Sequence, residues 1–143
     1  MVVLIDREVV ASLDVLSKEI LHAGETYQAS GLSWVVTDPE HRRHGYGRKL
    51  VAAAREHITA SVADLGLFTC DTPLQHFYAS AGWELLPGTV LVGGTPDDPF
   101  PSDQPGLDKI TFGGFFTDHA KAHRRDFIGA RINLYSGPID KLW

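Results

Sequence analysis

The sequence predicts a mixed α/β fold of α+β layered type, with helices flanking a mostly antiparallel, twisted sheet. Three observations predict it. The N-terminal third alternates apolar and polar residues in strand-like runs broken by short turns. Apolar residues from Leu50 to Val62 then recur every three to four positions, the period of a helix face. Between these regions an apolar strand runs into a basic, glycine-bearing loop, with the helix directly behind it.

Residues 2–5 and 9–13 flank Asp6-Arg7-Glu8 and read as two short strands joined by a tight turn. The second can continue through Leu16 and Ile20 to His22-Ala23-Gly24. After Gly24-Glu25, residues 27–37 read as a long strand, with Leu32, Trp34 and Val36 on one face and Ser33, Val35 and Thr37 on the other. The clearest helix spans 45–63, its stripe formed by Leu50, Val51, Ala54, Ile58 and Val62. A short buried strand follows at 65–69. Pro73, after Asp71 or Thr72 as N-cap, starts a second helix that ends near Gly82.

Residues 83–92 read as one more strand. Residues 93–107 hold four of the eight prolines and read as a long loop. A strand at 109–112, a helix at 118–127 capped by Thr117 or Asp118, and a strand at 130–135 complete the chain. This is one domain of 143 residues: a core over 1–92, the proline-rich loop, and a C-terminal strand-helix-strand over 108–143.

A hydrophobic content of 43% and a charged content of 22% are those of an ordinary globular protein. The net charge of −5 argues against a general nucleic-acid partner. Arg42, Arg43, Arg48 and Lys49 nevertheless cluster, a focused cationic spot suited to a small anion. The single Cys70 excludes an internal disulfide and a cysteine-based zinc site. No apolar run approaches the ~20 residues of a membrane span. The N-terminus lacks the pattern of a signal peptide, so the cytoplasm is the expected compartment.

In the segment from Trp34 to Leu50, Arg42 and Arg43 precede Gly45-x-Gly47 at the start of a helix. Backbone N–H groups, a helix N-terminus and cationic side chains there suit a pyrophosphate. A Walker loop would need four residues between its glycines, and a dinucleotide fingerprint a third glycine where Leu50 stands. A solvated basic loop ahead of an ordinary helix is the plain alternative.

The spacing Arg42-x-x-Gly45-x-Gly47 resembles the acyl-CoA loop of the GCN5-related N-acetyltransferases (GNAT). Phe77-Tyr78-Ala79-Ser80-Ala81-Gly82-Trp83 resembles the family's Phe-Tyr-x-x-x-Gly-aromatic segment, at the expected distance downstream. The two motifs cover roughly residues 2–87. In wording the chain is closest to aminoglycoside 2′-N-acetyltransferase-like proteins, through Tyr78-Ala-Ser-x-Gly-Trp83, Thr95-Pro-Asp-Asp98 and terminal Trp143, although Lys141 stands among expected acidic residues. The family has a strand and two helices ahead of the first strand here, so an N-terminally shortened version is implied.

The resemblance implies an acetyl-CoA-dependent N-acetyltransferase acting on the amine of a small molecule by direct attack on the thioester. A non-catalytic acyl-CoA-binding module and a fragment of a longer enzyme are the alternatives. Val35, Val36 and Thr37 would bind the pantetheine arm and thioester through their backbone, unless they sit in a full ladder. Arg42, Arg43, His44, Gly45, Tyr46, Gly47 and Arg48 would hold the pyrophosphate, the glycines allowing close approach.

Tyr78 is the implied general acid, against its reading as a core aromatic. Ser33, Trp34, Thr69 and Asp98 are the implied acceptor-binding residues, with Asp97 and Asp98 equally readable as turn formers. An acid expected at Ser33 is absent. The base is therefore open among His22, Asp71, His76, Asp98 and water relayed by Ser33 or Thr69. His41/His44 and His119/His123 show no third metal ligand, so no metal is expected. A homodimer is expected where the first strand leaves an open edge.

Overall fold

The computed structural model describes residues 1–135 and 142–143. The Asp140 and Lys141 of the terminal comparison lie outside the described residues. Strands β1 (Val2–Ile5), β2 (Glu8–His22) and β3 (Glu25–Thr37) form the expected antiparallel meander. Both turns place two residues at positive φ, Asp6 (50°) with Arg7 (71°) and Ala23 (51°) with Gly24 (80°). Paired left-handed residues make a two-residue turn whose twist matches that of the strands.

Helix α1 (Tyr46–Thr59) follows, then β4 (Leu65–Asp71) and α2 (Gln75–Ser80). Short strands β5 (Glu84–Leu85), β6 (Val90–Gly94) and β7 (Pro99–Pro101) precede β8 (Lys109–Phe115), α3 (Asp118–Ala122) and β9 (Arg131–Asn133). The main sheet has the order β1-β2-β3-β4-β8-β5, and β7-β6-β9 form a second sheet. All pairings are antiparallel except β3 with β4 and β6 with β9.

Two cores result. On one side Leu50, Val51, Ala54 and Ile58 of α1 pack with Leu13, Leu32, Phe68, Trp83 and Phe112. On the other, Ile20, Tyr27, Leu65 and Leu67 pack with Leu91, Phe127 and Ile132. The main sheet is thus covered on both faces. Among the described residues no helix is long and apolar enough to cross a membrane.

Several elements depart from the sequence reading. Alternation along 27–37 breaks at Trp34, where φ is +50°. The β2–β3 ladder pairs Ser12 with Val36 and Asp14 with Ser33, so Leu13 faces two residues, Trp34 and Val35. This bulge turns Val35 toward the core beside Leu32, and leaves Trp34 74% and Val36 51% exposed. Leu32, Trp34 and Val36 therefore do not share a face.

Helix α1 ends at Thr59, and Val62, counted above in its stripe, is exposed. The strand expected over 83–92 divides at Pro87-Gly88 into β5 and β6, which lie in different sheets. The proline-rich loop contains β7, folded back on β6. The helix expected over 118–127 is α3 followed by a 3-10 turn at Arg124–Phe127; Thr117 caps α3 by accepting from Ala120 N–H. The second helix likewise begins as a 3-10 turn, Thr72–Leu74.

Candidate active site

The site is opened by strands that part. β3 and β4 pair only through Ala29–Leu65 and Ser30–Gly66. Beyond them the strands splay, and the Trp143 ring occupies the space beside Gly31: a Cβ there would lie 2.4 Å from the indole. The gap leads to two clefts, one on each side of Val35, Leu74 and Tyr78, which line both.

The first cleft, of about 640 Å³, is lined by Val35, Val36, Thr37, Arg42, Arg43, Gly45, Tyr46, Gly47 and Arg48, together with His41 and Phe77. The loop that builds it is held from within. Asp38 accepts a hydrogen bond from Glu40 N–H at 2.8 Å, which starts the 3-10 turn Pro39–His41. Arg43 (φ 66°) and Gly45 (φ 79°) then reverse the chain into α1. Among the described residues no side chain caps α1, and no acidic residue occupies its first turn. Its leading N–H groups and positive dipole end remain available to an anion beside Arg42 and Arg43.

Three sequence assignments change in character. Gly47 needs to be small because of the protein itself: a Cβ would meet Thr37 Oγ1 at 2.7 Å and the Phe77 ring at 3.4 Å. Gly45 has open space around it, so its requirement is the left-handed backbone. The Arg48 guanidinium donates to Ser80 Oγ (3.2 Å) and Ser80 O (2.8 Å), tying α1 to the end of α2.

His44 does not line the cleft. Its Nδ1 lies 3.1 Å from His41 O and 3.0 Å from Arg42 O, and its ring stacks on Tyr46 at 5.7 Å. It braces the loop from outside.

The second cleft, of about 450 Å³, contains Ser33, Trp34 and Thr69 with Cys70, Asp71, Phe100, Leu107, Lys109 and Trp143. Asp98 is not in its lining. Thr95 and Asp98 close the β6–β7 turn, each N–H donating to the other's carbonyl at 3.1 Å, so Asp98 sits at the hairpin tip. Among the base candidates Asp71 reaches the cleft, where its carboxylate pairs with Lys109 at 2.9 Å. His76 lines neither cleft. His22 lies 2.6 Å from Asp126 O, against the Phe127 ring.

Tyr78 stands where the clefts meet, 6% exposed and packed against Phe68, Phe77 and Phe112. Burial pushes its phenol up to about 12, with Cys70 and Asp71 adding to the shift. A phenol so placed stays protonated and can donate a proton. Burial likewise pushes the Cys70 thiol up to about 11.

His119 and His123 face the two oxygens of Glu25 at 3.7 and 3.8 Å. Among the described residues no three His, Cys, Asp or Glu side chains are arranged to hold a metal. Lys109, Phe100 and Leu107 were not anticipated at the site. Lys109 had a signal only through the β4–β8 register, which sets it opposite Asp71.

No curated protein matches the sequence. Among solved structures, a GCN5-related N-acetyltransferase from Anabaena variabilis is similar over 64% of this chain and 23% of its own, at 23% identity and a TM-score of 0.55. Naa20 from Chaetomium thermophilum, in complex with a bisubstrate analogue, is similar over 92% of this chain and 74% of its own, at 16% identity and a TM-score of 0.62. The GNAT family N-acetyltransferase YhbS from Escherichia coli, in complex with CoA, is similar over 87% and 59%, at 16% identity and a TM-score of 0.54.

The chain spans under a quarter of the length of the Anabaena protein. These likenesses show the fold. A sequence model of the family described as the acetyltransferase (GNAT) domain matches residues 1–86, which takes in the splayed strands, the arginine-glycine loop and Tyr78. The chain belongs to the GNAT acetyltransferase family.

Proposed function

We propose that this domain is an acetyl-CoA-dependent N-acetyltransferase that acetylates the amine of a small molecule. The observation that carries the reading is the meeting of two clefts at Tyr78 and Val35, where β3 and β4 part. One cleft has a cationic loop at a helix N-terminus, and the other a mostly apolar wall. That division suits a long anionic cosubstrate on one side and an acceptor on the other.

Acetyl-CoA, when bound, supplies an activated acetyl carbonyl and a thiolate leaving group. Arg42, Arg43 and the first N–H groups of α1 hold its pyrophosphate. Backbone groups of Val35, Val36 and Thr37, beyond the β3–β4 ladder, bind the pantetheine arm and polarise the carbonyl. The amine nitrogen attacks the carbonyl carbon, the carbon–sulfur bond breaks, and Tyr78 gives its phenolic proton to the sulfur. Water ordered by Ser33 and Thr69 takes the amine proton, and solvent restores the phenol. Water is preferred to Asp71 because Lys109 already holds that carboxylate.

Acetyl-CoA at millimolar concentration is expected to raise the melting temperature, and an amine panel to release free CoA thiol. An unchanged melting temperature rejects the cosubstrate. Binding without turnover for any amine supports the acyl-CoA-binding module instead. Aminoglycosides belong in the panel because of the wording shared with their 2′-N-acetyltransferases. The open β1 edge, with exposed Val2, Leu4, Val9 and Val36, supports a homodimer, which light scattering tests.

A further inference from the structure

Building on that reading, we propose that the second cleft takes an aromatic monoamine of the arylalkylamine class, with Trp34 as the residue that selects it. Trp34 holds a bulky side chain at φ +50° and leaves it 74% exposed. Such a backbone is strained for a residue with a bulky side chain, and an indole so exposed recovers little of that by packing. Strain without burial marks a side chain positioned for something outside the fold. The bulge opposite Leu13 fixes it at the rim of the 450 Å³ cleft, a size suited to a small molecule.

The other walls agree. Phe100 from β7 and Leu107 line the cleft with Trp143. Trp143 is 3% exposed, and its indole N–H has no hydrogen-bond partner among the described residues. A buried donor left unpaired is uncommon, and here it belongs to a residue of the cleft wall.

Charge narrows the class. Among the described residues of the lining outside the arginine loop, the charged ones are Asp71 and Lys109, which neutralise one another at 2.9 Å. Among the described side chains of that lining no second carboxylate stands to hold a second or third ammonium, so a polyamine or aminoglycoside would set excess positive charge against a mostly apolar wall. A single amine on an apolar body meets no such penalty. Desolvation in the same cleft favours its neutral, nucleophilic form.

The test compares 2-phenylethylamine with spermidine, an aminoglycoside and a short peptide as acceptors, while calorimetry follows acetyl-CoA. Expected is a kcat/KM for 2-phenylethylamine at least about ten-fold above the other three, the scale of one good aromatic contact. Trp34→Gly should raise its KM about ten-fold with the acetyl-CoA Kd unchanged, and Trp34→Phe should keep most of the wild-type value. Glycine accepts φ near +50°, so this variant removes the ring without straining the bulge.

If Trp34→Gly does not fold, Trp34→Leu against Trp34→Phe gives the same contrast. Preference for spermidine, the aminoglycoside or the peptide overturns the inference, as does an unchanged KM, while acetyl-CoA binding and turnover still stand. Binding of acetyl-CoA with no amine acetylated also overturns it. Failure of the wild-type protein to bind acetyl-CoA overturns the underlying reading itself.

Discussion

Gly47 and Thr37 are in such close contact that a methyl group on Gly47 would lie 2.7 Å from the Thr37 hydroxyl oxygen. The first turn of α1 is seated directly on the end of β3, so the cationic loop and the splayed strand are set by one contact. Gly47→Ala should destabilise the fold by about 1–3 kcal/mol, the usual cost of overpacking. Thr37→Ala should restore part of that loss, seen as a non-additive double-mutant cycle in urea unfolding. Additive effects would mean the contact carries no strain.

The three arginines of the loop should separate by readout. Arg42→Ala and Arg43→Ala are expected to weaken acetyl-CoA binding, and the loss should shrink as salt rises. Arg48→Ala should instead lower the melting temperature, because its guanidinium holds Ser80 at the end of α2. Calorimetry at two ionic strengths, beside a thermal melt, checks both.

Tyr78→Phe should leave the melting temperature and the acetyl-CoA Kd near wild type while turnover falls on the order of 10²–10⁴, the usual contribution of a general acid. The proton is needed only as the carbon–sulfur bond breaks, so the loss should appear in kcat. Full turnover with chemistry rate-limiting would make Tyr78 a packing residue.

Alkali should unfold the protein through the same region. Burial raises Cys70 from 9.0 to about 11 and Tyr78 from 10.0 to about 12, so the fold favours both neutral forms. That stabilisation is complete below the unfolded values and is lost as pH rises through the folded ones. The urea midpoint should therefore fall between about pH 9 and 11 in the wild type, and fall less steeply there in Cys70→Ala. An equal slope in both proteins would count against a buried thiol.

The meander was legible in the sequence because its turns and its alternation agree, and α1 because Leu50, Val51, Ala54 and Ile58 keep a helical period. The arginine-glycine loop and Tyr78 were legible as short local motifs. What escaped depends on partners distant in the chain. A bulge at Trp34 is invisible until β2 sets the register, since the residue facing it is Leu13. Lys109 reaches the cleft only because β8 lies beside β4. The division of 83–92 had a local signal in Pro87-Gly88, outweighed by the apolar residues on either side. Asp98 was one of two equal readings, and the turn between β6 and β7 uses it.

The place of β8 in the sheet has a consequence for synthesis of the chain. β4 and β5 are not neighbours; β8, which emerges from the ribosome after both, fits between them. Until residues 109–115 have been made, β4 has an open edge of backbone donors and acceptors, with apolar Leu65, Leu67 and Phe68 along it. A nascent chain halted near residue 86 would hold the motif-bearing half without the strand that closes it. Such an intermediate invites pairing with a second unfinished copy, so ribosome-associated chaperones would protect this protein most before β8 appears.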